Sequence, residues 1–229
     1  MDWATDIFSI ESREERSGFA MRVWRSTSVD VPSFVSVAVP TWQLVFVQSA
    51  DGTKSVIARG PETQASRSGI PEDAEIFGIQ FDLGVFLSDY PIGRLVDHAE
   101  SLTAESRRSF WLNGTRYETP SFDNADVFVQ HLIRSGALLR DPVVEQILQR
   151  RPVSLSDRSI QRRFIRSTGL TYAAVRQIER AERAGSLLRS GVPILDVVDD
   201  QGYSDQAHLT RSVKRYLGTT PGRIAKADR

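Results

Sequence analysis

Apolar positions follow two different rhythms along this chain. From Phe19 to Phe81 they come as short or alternating runs, Phe19–Trp24, Phe34–Val39, Trp42–Val47, Ser55–Ala58 and Ile76–Phe81, each bounded by turn residues. That is the pattern of half-buried strands, and several of them between Trp3 and Phe81 predict a small β-barrel or sandwich. Asp51-Gly52 between two runs predicts a hairpin whose loop is longer than two residues.

Beyond Phe81 the rhythm changes. Ile92–Leu102 and Ala104–Leu112 read as helices, and Asn113-Gly114 as a turn before Pro120. Asp123 is placed to cap a helix running to about Leu139, with Asp126 near its positive end and Val127, Phe128, His131 and Leu132 on its apolar side. Lying outside both evident cores, this helix is either a candidate dimer surface or a helix that packs on the barrel. His131 has no partner at metal-ligand spacing and reads as a helix-surface residue.

The last third is the most regular. Val143, Ile147 and Leu148 form one helical face, closed by Arg150-Arg151-Pro152. Ser154 or Ser156 then caps a helix with Ile160 and Phe164 inward, leaving Arg158, Arg162 and Arg166 one turn apart and Gln161 beside them. Thr171–Leu188 is a long helix with the inward stripe Ala174, Ile178, Ala181, Gly185 and Leu188. A second unit follows. Ile194, Val197 and Val198 mark a helix stopped by Gly202, and Ser204 or Asp205 caps the next, which buries Leu209, Val213, Tyr216 and Leu217. Its outward side carries Gln206, Thr210, Arg211 and Lys214. Such side chains suit base edges and phosphates. The long helix spans roughly 27 Å at 1.5 Å per residue, which with the offset of each unit matches two major-groove segments about 34 Å apart.

Charge sharpens this reading. The net charge is zero, yet residues 141–229 carry 16 Lys/Arg against 10 Asp/Glu, an excess of +6 balanced by −6 in residues 1–140. A basic module joined to an acidic one fits a nucleic-acid partner, because phosphate neutralisation supplies much of DNA affinity. Cysteine is absent and no histidine precedes His98, so neither disulfides nor a thiolate or histidine-rich catalytic metal site is expected, and no cofactor is implied. An enzyme in residues 1–90 would have to work without His or Cys. Arg13, Arg16, Arg22, Arg25, Arg59 and Arg67 are candidates for an anion pocket in the strand-rich region, against the simpler reading of solvated strand and loop charge. The start lacks a signal-peptide pattern and no long apolar run occurs, so a cytoplasmic protein without membrane contact is expected.

From Ser154 to Ile224 the residues resemble the DNA-binding domain of AraC/XylS transcription regulators, two helix-turn-helix units joined by a long helix. The matching stretches are Leu155–Phe164, Thr168-Gly169-Leu170-Thr171, Gly202–Leu209 and Gly218-Thr219-Thr220-Pro221. Leu112-Asn113-Gly114, Pro120–Phe128 and Asp141–Val144 extend the likeness upstream. One departure is the Arg150–Val153 link, where a short Gly-containing turn is usual.

The resemblance implies DNA contact by Arg158, Gln161, Arg162 and Arg166 in unit one, and by Gln206, Thr210, Arg211 and Lys214 in unit two. It also implies a cupin-like N-terminal barrel that senses a small-molecule effector, dimerises, or both, with RNA polymerase as a further partner. The expected fold is α+β: a barrel over 1–90, a helical linker and dimerisation segment over 91–140, and an all-α DNA-binding domain over 141–229. The expected function is sequence-specific transcription regulation, not catalysis. The alternative is a ligand-binding or dimerising adaptor whose helices contact proteins.

Overall fold

The computed structural model describes residues 10–14, 18–27, 33–69, 73–106 and 108–227. Its first part holds β1 (Ile10–Glu14), β2 (Ala20–Thr27), β3 (Ser33–Ser36), β4 (Gln43–Gln48), β5 (Lys54–Arg59), β6 (Ser66–Gly69), β7 (Glu75–Phe81) and β8 (Val85–Leu87). A short 3-10 helix, Ile92–Leu95, leads to β9 (Ala99–Leu102), β10 (Ala104–Ser106), β11 (Ser109–Leu112) and β12 (Thr115–Glu118). After α1 (Ala125–Arg134) and β13 (Leu138–Arg140) the chain is helical: α2 (Pro142–Leu148), α3 (Asp157–Thr168), α4 (Tyr172–Arg189), α5 (Ile194–Asp200), α6 (Gln206–Leu217) and α7 (Pro221–Ala227).

The chain is therefore α+β, with antiparallel strands first and helices last. The main sheet runs β1-β2-β7-β4-β5-β9, and its edges β1 and β9 are not paired with each other among the described residues. Each of the five strands read from the alternating runs is present. The β4–β5 loop is five residues, Ser49–Thr53, between the paired Gln48 and Lys54. Asp51 shapes it by accepting the Thr53 N–H at 2.8 Å.

One face of the main sheet is apolar. Val23, Leu44, Phe46, Val56, Ile79 and Phe81 point into a core closed by Phe110, Leu112 and Tyr117 of β11–β12 and by Phe128, Val129 and Leu132 of α1. Phe46 stacks on Phe77 with centroids 4.5 Å apart and meets Phe110 and Phe128 edge-on.

Residues 91–140 correct the sequence reading. Helices were expected over Ile92–Leu102 and Ala104–Leu112, but only Ile92–Leu95 is helical; β9 adds to β5 at the sheet edge, and β10–β12 form a meander. Asn113-Gly114 is a two-residue hairpin turn between the paired Leu112 and Thr115, with φ 50° and 71° at its centre. The α1 helix stops at Arg134 rather than Leu139, because Gly136 at φ 71° turns the chain into β13 beside β8. Its Ala125, Phe128, Val129 and Leu132 are buried in the N-terminal core, whereas Val127 is 71 % exposed. Most of the segment thus packs with the N-terminal core, and Val127 stands out from α1.

Candidate nucleic-acid interface

The helical region is built as two similar halves on one axis. In the first, Ser156 caps α3 by accepting the Ser159 N–H, and Phe164 is buried. Val144 is the buried residue of α2, while Leu148, expected inward, is exposed. Asp141 caps α2 by accepting the N–H groups of Val143 and Val144, with Pro142 opening the helix.

Eighteen residues long, α4 is capped by Thr171, and Ile178, Ala181, Ala184, Gly185 and Leu188 lie buried along it. Small side chains there let α6 and α7 approach closely. In the second half, Val197 and Val198 of α5 and Leu209, Val213 and Leu217 of α6 close a core with Tyr203. The Tyr203 hydroxyl meets Ser212 Oγ at 3.1 Å, so its polar end is satisfied inside that core.

Asp205 caps α6, accepting the His208 N–H at 2.6 Å. That bond chiefly holds its carboxyl below the ordinary range, helped by the Ser204 hydroxyl and by Arg211 and His208. His208 is half-buried, edge-on to Tyr203 at 5.1 Å.

Arg158, Gln161, Arg162, Gln206, Arg211 and Lys214 are exposed on α3 and α6. Thr210 is half-buried, its hydroxyl donating to Gln206 O at 2.8 Å. Arg166 is exposed as well, with its guanidinium 3.7 Å from the Asp141 carboxylate and 5.7 Å from the Phe86 ring centroid. Arg163 approaches the same carboxylate at 3.6 Å. Two residues missed from sequence organise these units. Asp141, 2 % exposed, anchors the α3 arginines, and its Asp-Pro start to a helix was the available signal. Arg180 of α4 lies 4.3 Å over the Tyr203 ring and donates to Gly202 O at 3.4 Å, fastening the second turn to the long helix.

The strand arginines do not converge on one place. Arg13 pairs with Asp126 at 2.6 Å and Arg25 with Glu11, both against Phe122 on the apolar side of the sheet. Arg67 is exposed on β6, and Arg16 lies outside the described residues. Arg22 and Arg59 do share the other face, at the two ends of the cross-strand row Arg22, Gln80, Gln43, Arg59. Arg22 donates to Gln80 at 3.0 Å and Arg59 to Glu62 at 2.7 Å. Trp24, in the next row, lies across Gly78, where a Cβ would come within 2.4 Å of the indole, and donates to Gln43 at 3.1 Å.

With this geometry in place, the decisive comparison is with known families: residues 151–227 match the helix-turn-helix domain family. This part of the chain is a helix-turn-helix domain. Over it the resemblance to AraC/XylS regulators holds. The helix-turn-helix domain is 38 % identical over 68 residues to the HTH-type transcriptional regulator RipA of Corynebacterium diphtheriae, and 36 % over 67 residues to RipA of Corynebacterium glutamicum. Those matches cover 30 % and 29 % of this chain but only 20 % of each relative's own length. Among solved structures, apo ToxT K231A from Vibrio cholerae aligns over 93 % of this chain and 98 % of its own at 12 % identity and TM-score 0.41. ToxT bound to (E)-4-(8-methylnaphthalen-1-yl)but-3-enoic acid aligns over 95 % and 98 % at 13 % identity and TM-score 0.39.

Proposed function

We propose that the chain is a transcription regulator that binds specific double-stranded DNA by inserting α3 and α6 into successive major-groove segments. The observation that carries this reading is the pair of exposed polar helix faces, one on the helix before α4 in the chain and one on the second helix after it, within a helix-turn-helix domain. Arg158, Gln161 and Arg162 are the proposed groove residues of α3, and Gln206, Thr210 and Arg211 those of α6, with Lys214 on phosphate. Arginine can grip guanine O6 and N7 and glutamine can pair with adenine. Arg166 is given a lesser, backbone role because Asp141 holds it. The N-terminal unit, ending near residue 140, is proposed to modulate binding through a small-molecule effector. An anionic one would meet Arg22 beside Gln80 and Gln43, Arg59 being paired with Glu62. RNA polymerase and a second copy of the chain are further proposed partners, neither assigned to a surface. A cytoplasmic location and a non-catalytic role are part of this proposal.

The test compares Arg162→Ala and Arg211→Ala with the unaltered chain on a duplex that the full chain selects from a random pool. Each substitution is expected to weaken specific binding by about 1–3 kcal/mol and to relax base preference at one position. If neither costs about 1 kcal/mol, the two-helix reading is wrong.

A further inference from the structure

Both recognition helices end in the same way, and at both ends the N-terminal unit is seated on them. Gly169 closes α3 and Gly218 closes α6, at φ 74° and 70°, in the left-handed conformation that favours glycine. A Cβ at Gly169 would lie 2.8 Å from Cγ2 of Val96 and 3.3 Å from Cα of Gly93. One at Gly218 would lie 2.6 Å from Cγ1 of Val35 and 3.1 Å from Cβ of Ala65. Glycine is needed twice over at each point, for the turn and for the close approach.

At α6 the seat also includes main chain. The Ala38 N–H donates to Tyr216 O at 2.8 Å and the Ala65 N–H to Arg215 O at 2.7 Å. Carbonyls in the last turn have no acceptor role within a helix, so these two are completed by the N-terminal unit. A partly buried ion pair lies beside the donors. Glu62, 7 % exposed, accepts from Arg59 at 2.7 Å, from Ser36 Oγ at 2.7 Å and from Ser66 Oγ at 3.2 Å. Its own N–H donates to Val39 O at 2.9 Å. Ser36 and Ser66 stand close in sequence to Ala38 and Ala65, so loss of the Glu62 charge loosens both segments that touch α6. Because Arg158, Gln161, Arg162, Gln206 and Arg211 stay exposed, the seating leaves the proposed groove residues uncovered.

We propose that the N-terminal unit is a two-point brace, seated on the closing glycines of α3 and α6, that fixes the two recognition helices relative to each other. Arg59 and Glu62 are positioning residues at the α6 seat. This rests on the DNA reading above and adds what sets the spacing between the two contacted segments: the brace as well as the long helix.

The experiment uses the full chain, the duplex it selects from a random pool, and the same duplex lengthened by two base pairs between its two contacted segments. Val35→Asp and Glu62→Gln are compared with the unaltered chain. Val35 is 42 % exposed, so the first substitution does not open a core, and it keeps the test available should Glu62→Gln fail to fold. The expected result has two parts. In amide hydrogen exchange, the Ala38 and Ala65 N–H groups lose protection, and binding to the selected duplex weakens about tenfold as preorganisation is lost. Discrimination against the lengthened duplex also shrinks, which a merely destabilised fold does not produce. Unchanged affinity and discrimination despite exposed amides would overturn the brace, as would amides that keep full protection in both variants. Failure of the unaltered chain to select any duplex would sink the DNA reading itself, before any substitution is made.

Discussion

Asp141 sets the balance of charge at the first recognition helix. One of its oxygens caps α2, and the other, without a hydrogen bond, faces Arg163 and Arg166 at 3.6 and 3.7 Å. Asp141→Ala removes the cap as well as the buried anion and is expected to cost about 1–2 kcal/mol of stability, read by denaturant unfolding. Asp141→Asn keeps a capping oxygen and is expected to cost less. Since Arg166 is held by this carboxylate, Arg166→Ala is expected to weaken DNA binding less than Arg162→Ala in the same titration. A larger loss for Arg166 would show that it leaves Asp141 for the duplex. Sequence alone could not separate these arginines. The 158, 162, 166 stripe has perfect helical spacing, but which end of it meets another element depends on residues far away in the chain, here Phe86 and Asp141.

At the level of elements, helix caps couple the recognition surface to pH. The Asp205 carboxyl is held below its ordinary value by the His208 N–H it accepts. The cap is therefore at full strength above the ordinary carboxylate pKa, about 4, and is lost as pH falls below it through the lowered value. Acid unfolding followed by the α6 amides should show this helix fraying from its start, and Asp205→Asn should remove that acid sensitivity. In α4 the small stripe sets helix spacing. Ala184→Leu would force α6 outward and is expected to cost about 1–3 kcal/mol, seen as a lower unfolding midpoint. The helices with strong periodicity and sharp caps were legible from sequence nearly to the residue: α4 was expected from Thr171, and Thr171 is its N-cap. The failures cluster between residues 91 and 112, where polar positions such as Asp97, His98 and Glu100 break any clear period. Those short strands exist because β5 and β11 offer edges to pair with, information that no local window contains.

For the whole molecule, basic and acidic halves predict a strong response to salt. Specific binding should weaken steeply from low to high salt, and Lys214→Ala should reduce the slope of log affinity against log salt by about one, as loss of a single phosphate contact does. The separation of Arg13 and Arg25 from Arg22 and Arg59 on opposite faces of the sheet was beyond sequence reasoning, because alternation predicts a face but not which strands become neighbours.

The buried cluster around Phe164 carries a last consequence. It is assembled from Ala38 of the strand-rich unit together with Val144, Phe164, Leu170, Val175 and Ile178, with Leu83 and Val96 packed against it. Although the helix-turn-helix text is contiguous in sequence, it is not a detachable part. A fragment beginning near residue 141 would carry a raw apolar scar where those partners had been, so it should collect in the insoluble fraction of an expression culture. Transplanting these helices onto another sensor would therefore require carrying Ala38, Leu83 and Val96 along or resurfacing the residues they cover.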